Sequence, residues 1–230
     1  MWQEVHEELE GLEIVTVAMD VGGVDAAAKW IDAANPSHPA LIDAEHRLGA
    51  LLGIVNVPSG VWIDEDGVIV RPPGPAWPGR AVFRENLVGL ELPDDVDPYV
   101  VEALEVTAQL EVKPERYLDA LRDWVTNGAD SAFAMTPDEV VAASRPRPAE
   151  HSLAAAHFEL GQHLWRDGSP EAATRHFAAA HRLQPDNWTY KRQAWNFVSP
   201  VLQDAREVYG TSWASEVAAA GPENYYPGQL

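Results

Sequence analysis

An almost unbroken run of apolar residues near the start of the chain constrains the fold most. Residues 14–19 read IVTVAM and lie between Glu13 and Asp20. A run of β-branched and apolar residues without polar alternation is typical of a strand that is covered on both faces. The run therefore predicts a central strand in a sheet that carries helices on both sides.

Helical patterns stand on both sides of this strand. Before it, apolar residues recur at the three- and four-residue spacing of a short amphipathic helix: Trp2, Val5, Leu9 and Leu12. After it, residues 24–35 predict a helix with one apolar face, made by Ala27, Trp30, Ile31 and Ala34. A second strand at residues 40–43 and a helix at residues 44–52 follow. The order α-β-α-β-α favours a three-layer α/β domain.

A proline loop and a hairpin come next. Residues 53–69 read GIVNVPSGVWIDEDGVI. The preceding helix ends at Gly53, and Glu65, Asp66 and Gly67 are a turn signal between two apolar strands. Residues 80–90 predict a further helix, and the acidic, proline-punctuated residues 92–98 predict a domain boundary.

This stretch resembles the second half of proteins of the thioredoxin superfamily, particularly the thiol-disulfide oxidoreductase and alkyl hydroperoxide reductase branch. In that family a Val-Pro pair with a cis-proline lies between a helix and a hairpin with an acidic turn. The resemblance covers about residues 1–90 and implies an α/β thioredoxin-like domain over residues 1–92. It also implies a cis Val57–Pro58 bond and a substrate groove at Asn56, Val57 and Pro58, where the Val57 backbone pairs with an extended substrate. The alternative is an ordinary trans proline in a loop.

The redox motif of that family is missing from this chain. Members carry a first strand and a Cys-x-x-Cys motif before the helix that corresponds to residues 2–12, and a low-pKa thiolate there does the chemistry. The chain has no cysteine, so the domain is predicted to be N-terminally incomplete, inactive as written and without a cofactor. Two interpretations stay open: the domain has decayed into a binding scaffold, or the chain is a truncated selenoprotein or thiol protein whose true start lies upstream. The absent strand predicts an unpaired edge along residues 14–17.

Beyond the predicted boundary no strand pattern is left, and residues 93–230 predict an all-helical tail. The predicted helices are residues 99–110, 114–126, 137–144, 151–166, 170–183, 188–198 and 201–209, and residues 221–230 are predicted to be irregular. Several of these helices begin with a proline near the first turn, where its missing N–H costs nothing.

Residues 153–185 resemble a tetratricopeptide repeat, which is a hairpin of two antiparallel helices. Six residues stand at the spacings of its consensus: Leu160, Gly161, Ala173, Phe177, Ala180 and Pro185. On this resemblance Gly161 and Ala173 let the two helices approach closely, and Phe177 fills the gap between them. A single repeat needs neighbours for stability, so the hairpin is interpreted either as structural or as a peptide-binding module.

Charge and composition exclude several classes of partner and site. The chain has 16 Lys and Arg against 36 Asp and Glu, and its net charge of −20 repels nucleic acid and anionic lipid. The sequence lacks a membrane-spanning run and a signal peptide, so a cytoplasmic location is predicted. The histidine spacings do not match a zinc-binding helix, so no metal site is predicted. Four tryptophans on apolar faces are predicted to be core residues: Trp30, Trp62, Trp124 and Trp165.

These features lead to two functional hypotheses. The first is a thioredoxin-like redox protein of the thiol-disulfide oxidoreductase or peroxide reductase class, inactive in the given form. The second is a non-enzymatic scaffold in which the Val57–Pro58 groove and the helical tail bind a partner protein. Both predict a protein as partner or substrate, and both leave the oligomeric state open.

Overall fold

The structure is mixed α/β, and the residues that it describes form many helices and three two-stranded sheets. The computed structural model describes residues 1–79, 92–93, 95–144, 146–200, 202–228 and 230. The helix predicted at residues 80–90 lies outside the described residues. Among the helices that the structure describes, none is both long and apolar enough to cross a bilayer.

The N-terminal elements follow the predicted order. They are α1 (Trp2–Glu8), β1 (Thr16–Ala18), α2 (Gly23–Ala34), β2 (Ala40–Ile42) and α3 (Arg47–Leu52). β1 and β2 are parallel, with Thr16 opposite Ala40 and Ala18 opposite Ile42. Because two parallel strands need a crossover between them, α2 connects them. The α-β-α-β-α order expected from the sequence is confirmed.

β1 is not the central strand that the sequence predicts. It is three residues long, and β2 is its only hydrogen-bonded neighbour among the described residues. None of its residues is fully buried, and Val15, just before it, is 52% exposed. The prediction is wrong because no second strand pairs with β1 in the part of the chain that the structure describes. The unpaired edge expected along residues 14–17 is therefore present there.

The predicted β-hairpin forms from β3 (Ser59–Ile63) and β4 (Ile69–Pro75). The side chain of Asp64 accepts hydrogen bonds from the backbone N–H groups of Asp66 (3.1 Å) and Val68 (2.8 Å). Gly67 has a φ of 79°, a left-handed conformation that glycine adopts readily. An acidic side chain and a glycine thus close the turn. The hairpin is a sheet of its own, separate from β1 and β2.

The C-terminal part is mainly helical. Its helices are α4 (Pro98–Gln109), α5 (Pro114–Asn127), α6 (Pro137–Ser144), α7 (Ala149–Arg166), α8 (Pro170–Leu183), α9 (Trp188–Val198), α10 (Arg206–Tyr209) and α11 (Trp213–Ala220). Four of them, α4, α5, α6 and α8, begin with a proline, as the sequence predicts.

The expectation of an all-helical tail is wrong in one place. There β5 (Asp204–Ala205) pairs antiparallel with β6 (Thr211–Ser212). The helix predicted over residues 201–209 is shortened at its start, because Asp204 and Ala205 belong to β5; α10 ends where predicted, at Gly210, which has a φ of 74°. Ser212 then forms a capping box with Ser215 and starts α11, a helix that the sequence analysis missed.

Among the described residues three apolar clusters hold these elements together, and two of the clusters include residues on both sides of the predicted boundary at residue 92. One cluster packs α1 and the hairpin against α5, with Trp62 and Tyr117 at its centre. The second joins Trp77 to aromatic residues of the C-terminal part, and the third fills the space between α7, α8 and α9. Residues 1–92 and 93–230 thus share cores, and their division into two domains stays a prediction.

Candidate functional site

The loop that connects α3 to β3 contains the predicted groove residues Asn56, Val57 and Pro58. α3 ends at Gly53 in a left-handed conformation, with a φ of 75°, so the chain turns away from the helix at this point. The Val57–Pro58 peptide bond is cis, which confirms that prediction. The Oδ1 atom of Asn56 accepts a hydrogen bond from the N–H of Val57 at 2.9 Å. The N–H of Val57, whose backbone was predicted to pair with a substrate, is therefore already hydrogen-bonded to the side chain of Asn56.

The start of α9 is bonded to this loop. The carbonyl oxygen of Val55 accepts hydrogen bonds from the backbone N–H groups of Trp188 (2.7 Å) and Thr189 (3.2 Å). Both residues lie in the first turn of α9, where N–H groups have no partner within their own helix. The loop carbonyl therefore caps a helix of the C-terminal part.

Two tyrosines near the C-terminus contact the next residues of the loop. The Nδ2 atom of Asn56 donates a hydrogen bond to the carbonyl oxygen of Tyr225 at 2.7 Å. The hydroxyl of Tyr226 lies 3.5 Å from the carbonyl oxygen of Val57. The Val57 backbone thus lies beside the protein's own C-terminal segment. Substrate binding by these three groove residues stays a prediction.

Tyr225 and Tyr226 belong to the aromatic core. Tyr225 is 1% exposed, and its ring centroid lies 4.7 Å from that of Trp188 and 4.6 Å from that of Tyr226. The ring of Tyr226 is 5.5 Å from that of Trp77. Burial raises the pKa of Tyr226 above its usual value, because a buried phenolate would lose its hydration. The sequence analysis missed both residues, because residues 221–230 show no helical or strand period.

A second polar contact joins the two parts of the molecule. The Oε1 atom of Gln193, on α9, accepts a hydrogen bond from the N–H of Val21 at 3.1 Å and lies 3.3 Å from Nε2 of His46. His46 is buried, with its ring 5.1 Å from that of Phe158. Burial is the main cause that lowers the pKa of His46, and the contact with Gln193 opposes it. The imidazole is therefore neutral at pH 7 and serves packing.

The predicted helical hairpin forms from α7 and α8, which a three-residue turn connects. Ala173, Phe177 and Ala180 are fully buried. A Cβ atom at Gly161 would lie only 2.7 Å from the ring of Phe177. The close approach of the helices at Gly161 is therefore confirmed.

Two of the six predicted packing residues lie outside this interface. Leu160 is 42% exposed, and Pro185 is also exposed. Because successive residues of a helix point about 100° apart, Leu160 is rotated away from the face that carries Gly161. The sequence analysis missed the buried Phe158 and Tyr190, whose rings stack at 4.2 Å and complete this core.

An open cavity of about 580 Å³ lies between α1, β1 and α2, and we call it the α1–α2 cavity. Its wall is largely apolar and includes Trp2, Ala18, Ala27, Trp30, Ile31 and Ala40. The prediction that Trp30 is a core residue is wrong: it is 69% exposed, because its face of α2 borders this cavity. The other three tryptophans do pack in apolar clusters, as predicted. A concave, mostly apolar cavity of this size is typical of a binding site.

The loop and the cavity present mainly backbone, amide and apolar groups. The 54–58 loop offers amide and carbonyl groups, and the chain has no thiol. His157 and His176 are in contact across α7 and α8, with their Nδ1 atoms 2.8 Å apart. In the described part of the chain, however, no group of three or more His, Cys, Asp or Glu residues is placed to hold a metal ion.

A scan against protein-family models, a search of the curated proteins and a search of the solved structures each found no match for this chain.

Proposed function

We propose that this chain is a non-enzymatic scaffold that binds a partner protein. In this proposal a thioredoxin-like domain, residues 1–92, is fixed to a helical tail with a tetratricopeptide-like hairpin at residues 153–185. The observation that carries the proposal is the bonding of the 54–58 loop to the C-terminal part, through Val55 to Trp188 and through Asn56 to Tyr225.

This bonding leaves little room for a substrate at the loop. An extended substrate that paired with Val57 would have to displace Tyr226, and with it Tyr225, from the aromatic core. Burial of an aromatic side chain stabilises a protein by roughly 1.5–3 kcal/mol, and two such residues would be exposed together. The contacts therefore favour a loop that joins the two parts of the molecule over a loop that opens for each substrate.

A redox protein of the thiol-disulfide oxidoreductase or peroxide reductase class is the second candidate. The observation that favours it is the order of elements, in which α3, the Val57–Pro58 pair and a hairpin follow one another as the resemblance implies. Its chemistry requires a thiolate or selenolate. Since the 230 residues include no cysteine, the chain as given is proposed to lack this activity.

The scaffold proposal is tested in two steps. First, the purified chain is assayed for reduction of insulin disulfides by dithiothreitol and for peroxide consumption, with a dithiol thioredoxin as positive control. We expect rates equal to buffer. Second, proteins retained on the immobilised chain from its source cells are identified against a chain-free resin, and each is purified and titrated with the chain by calorimetry. A defined complex of purified components is expected. Turnover above buffer, or no complex with any purified protein, would contradict the proposal.

A further inference from the structure

One edge of β1 has no neighbouring strand in the part of the chain that the structure describes. Its N–H and C=O bonds to β2 come from Thr16 and Ala18, as in Thr16 N–H to Pro39 O (3.0 Å) and Asp43 N–H to Ala18 O (2.8 Å). Because backbone groups alternate along a strand, those of Val15 and Val17 point to the opposite edge. Among the described residues β1 has no hydrogen-bonded neighbour on that edge. Such an edge is a template for strand addition.

The α1–α2 cavity lies over one face of β1. Thr16 and Ala18 of β1 line the cavity together with Ala27, Trp30 and Ile31 of α2. A strand added beside β1, about 4.8 Å away, would direct alternate side chains to the same face as Thr16 and Ala18. Those side chains would lie against the cavity wall. One extended segment can therefore occupy both places. The backbone of the segment would bond to the edge of β1, and its side chains would contact the cavity.

The amino-acid sequence of this region is suited to a covered surface. Residues 14–19 have the composition of a strand buried on both faces, yet Val15 is 52% exposed. The apolar face of α2 has the pattern of a buried helix face, yet Trp30 is 69% exposed. Apolar surface that is left open in this way is typical of an interaction site.

The charges around the edge favour a basic partner. Glu13 precedes β1, and Asp20 follows it and lines the cavity. Lys29 is a positive charge in this region: its Nζ atom lies over the ring of Trp30, 5.1 Å from the ring centroid. The whole chain carries a net charge of −20, which repels a second copy of itself and attracts a positively charged segment.

We propose that the free edge of β1 and the α1–α2 cavity bind an extended, positively charged segment of a partner protein as an added strand with alternating apolar side chains. This inference rests on the proposed scaffold function and names the surface and the chemistry of the partner. Main-chain hydrogen bonds to Val15 and Val17 supply the pairing, and apolar side chains in the cavity supply the selectivity.

The test uses a fluorescein-labelled peptide, Lys-Val-Lys-Val-Lys-Val-Lys, titrated with the full chain at 150 mM salt and followed by anisotropy. Two further peptides carry N-methyl groups, one at the valines and the other at the lysines, so each lacks the N–H donors of one edge. We expect the unmethylated peptide to bind, and one methylated peptide to bind at least tenfold more tightly than the other. Equal binding by the two methylated peptides, or no binding by the unmethylated one, would overturn the proposal.

A matched pair of variants locates the site on the protein. Trp30→Lys removes part of the cavity wall and adds a positive charge, and we expect it to weaken peptide binding at least tenfold. Leu51→Lys makes a similar change at a residue of α3 that is 83% exposed and does not line the cavity, so we expect less than a twofold change. Equal effects of the two variants would contradict the site.

The purified partner separates this inference from the scaffold function on which it rests. We expect it to bind the Trp30→Lys variant more weakly than the wild type. A partner that binds both equally would overturn the assignment of this surface and leave the scaffold function intact. A concentration-dependent dimer of the wild type that the peptide dissociates would identify a second copy as the occupant and would also overturn the proposal.

Discussion

The side chain of Asn56 joins two distant parts of the backbone: it donates a hydrogen bond to the carbonyl oxygen of Tyr225 at 2.7 Å and accepts one from the N–H of Val57 at 2.9 Å. The two partners are 168 positions apart in the chain. Because the Tyr225 ring is fully buried, the amide of Asn56 connects the predicted groove with the aromatic core.

Replacing Asn56 should therefore destabilise the whole molecule. In Asn56→Ala both backbone partners lose a hydrogen bond in a partly buried place, and we expect the free energy of unfolding to fall by about 1–3 kcal/mol. Urea denaturation followed by tryptophan fluorescence measures this change. The control is Asn127→Ala, because Asn127 is exposed and bonds to Asp123 on its own helix; there we expect less than about 0.5 kcal/mol. Equal losses in both variants would argue against the role of Asn56.

The contact between Gly161 and Phe177 makes a prediction for the helical hairpin. An alanine at 161 gains up to about 1 kcal/mol of helix propensity over glycine. Its Cβ would, however, lie 2.7 Å from the buried ring of Phe177, and overpacking costs about 1–3 kcal/mol. We expect Gly161→Ala to lower the melting temperature, measured by circular dichroism.

The control for this substitution is Gly74→Ala. A Cβ at Gly74 meets nothing within 4 Å, and its φ is not positive, so we expect no change in melting temperature. A Gly161→Ala variant as stable as the wild type would show that α7 and α8 are not packed as closely as described.

Buried histidine should make the stability depend on pH. Burial lowers the pKa of His181 from 6.5 to about 4. As the pH falls, the unfolded chain binds a proton at His181 before the folded one does, so stability is present above pH 6.5 and is lost between pH 6.5 and about 4. At 1.36 kcal/mol per pH unit the loss reaches about 3 kcal/mol.

Urea denaturation at pH 7.5 and 4.5 measures this dependence. His181→Gln removes the titrating group, and we expect the stability lost between the two pH values to shrink relative to the wild type. His163→Gln, at an exposed residue of α7, is the control and should leave the loss unchanged. The prediction fails if His181→Gln shows the same pH dependence as the wild type.

Local sequence signals predicted local structure well. Glu65, Asp66 and Gly67 predicted a turn, and residues 53–69 form the loop and the hairpin turn expected of them. The structure adds that the Asp64 side chain accepts the hydrogen bonds that close this turn. The spacing around Gly161 likewise predicted a real close approach. In each case the residues that decide the structure lie within about one hairpin of each other.

The errors concern contacts between residues far apart in the chain. The helical spacing of apolar residues placed Trp30 on the apolar face of α2. It could not show that this face stays open to the cavity, with Trp30 69% exposed. The pairing of β1 depends on a neighbouring strand, which its own composition does not reveal. The cover of the groove by Tyr225 is invisible in the sequence for the same reason, since residues 221–230 have no helical or strand period.

The final prediction concerns the hydrogen bond between Trp62 and Tyr117. The indole Nε1 of Trp62 donates to the hydroxyl of Tyr117 at 3.1 Å, both side chains are buried, and burial raises the pKa of Tyr117 so that it stays protonated. Tyr117→Phe leaves the indole N–H without an acceptor, and we expect a loss of about 1–3 kcal/mol. In Trp62→Phe the hydroxyl loses its donor, while in the double variant neither group is left unpaired. The double variant should therefore be less destabilised than the sum of the single variants, by about 0.5–3 kcal/mol.

Calorimetry of all four proteins should also give one unfolding transition each, because Trp62 and Tyr117 stand on opposite sides of the predicted boundary at residue 92 and share one core. Additive losses, or two transitions of which only one responds to Tyr117→Phe, would mean that the hairpin and α5 fold independently.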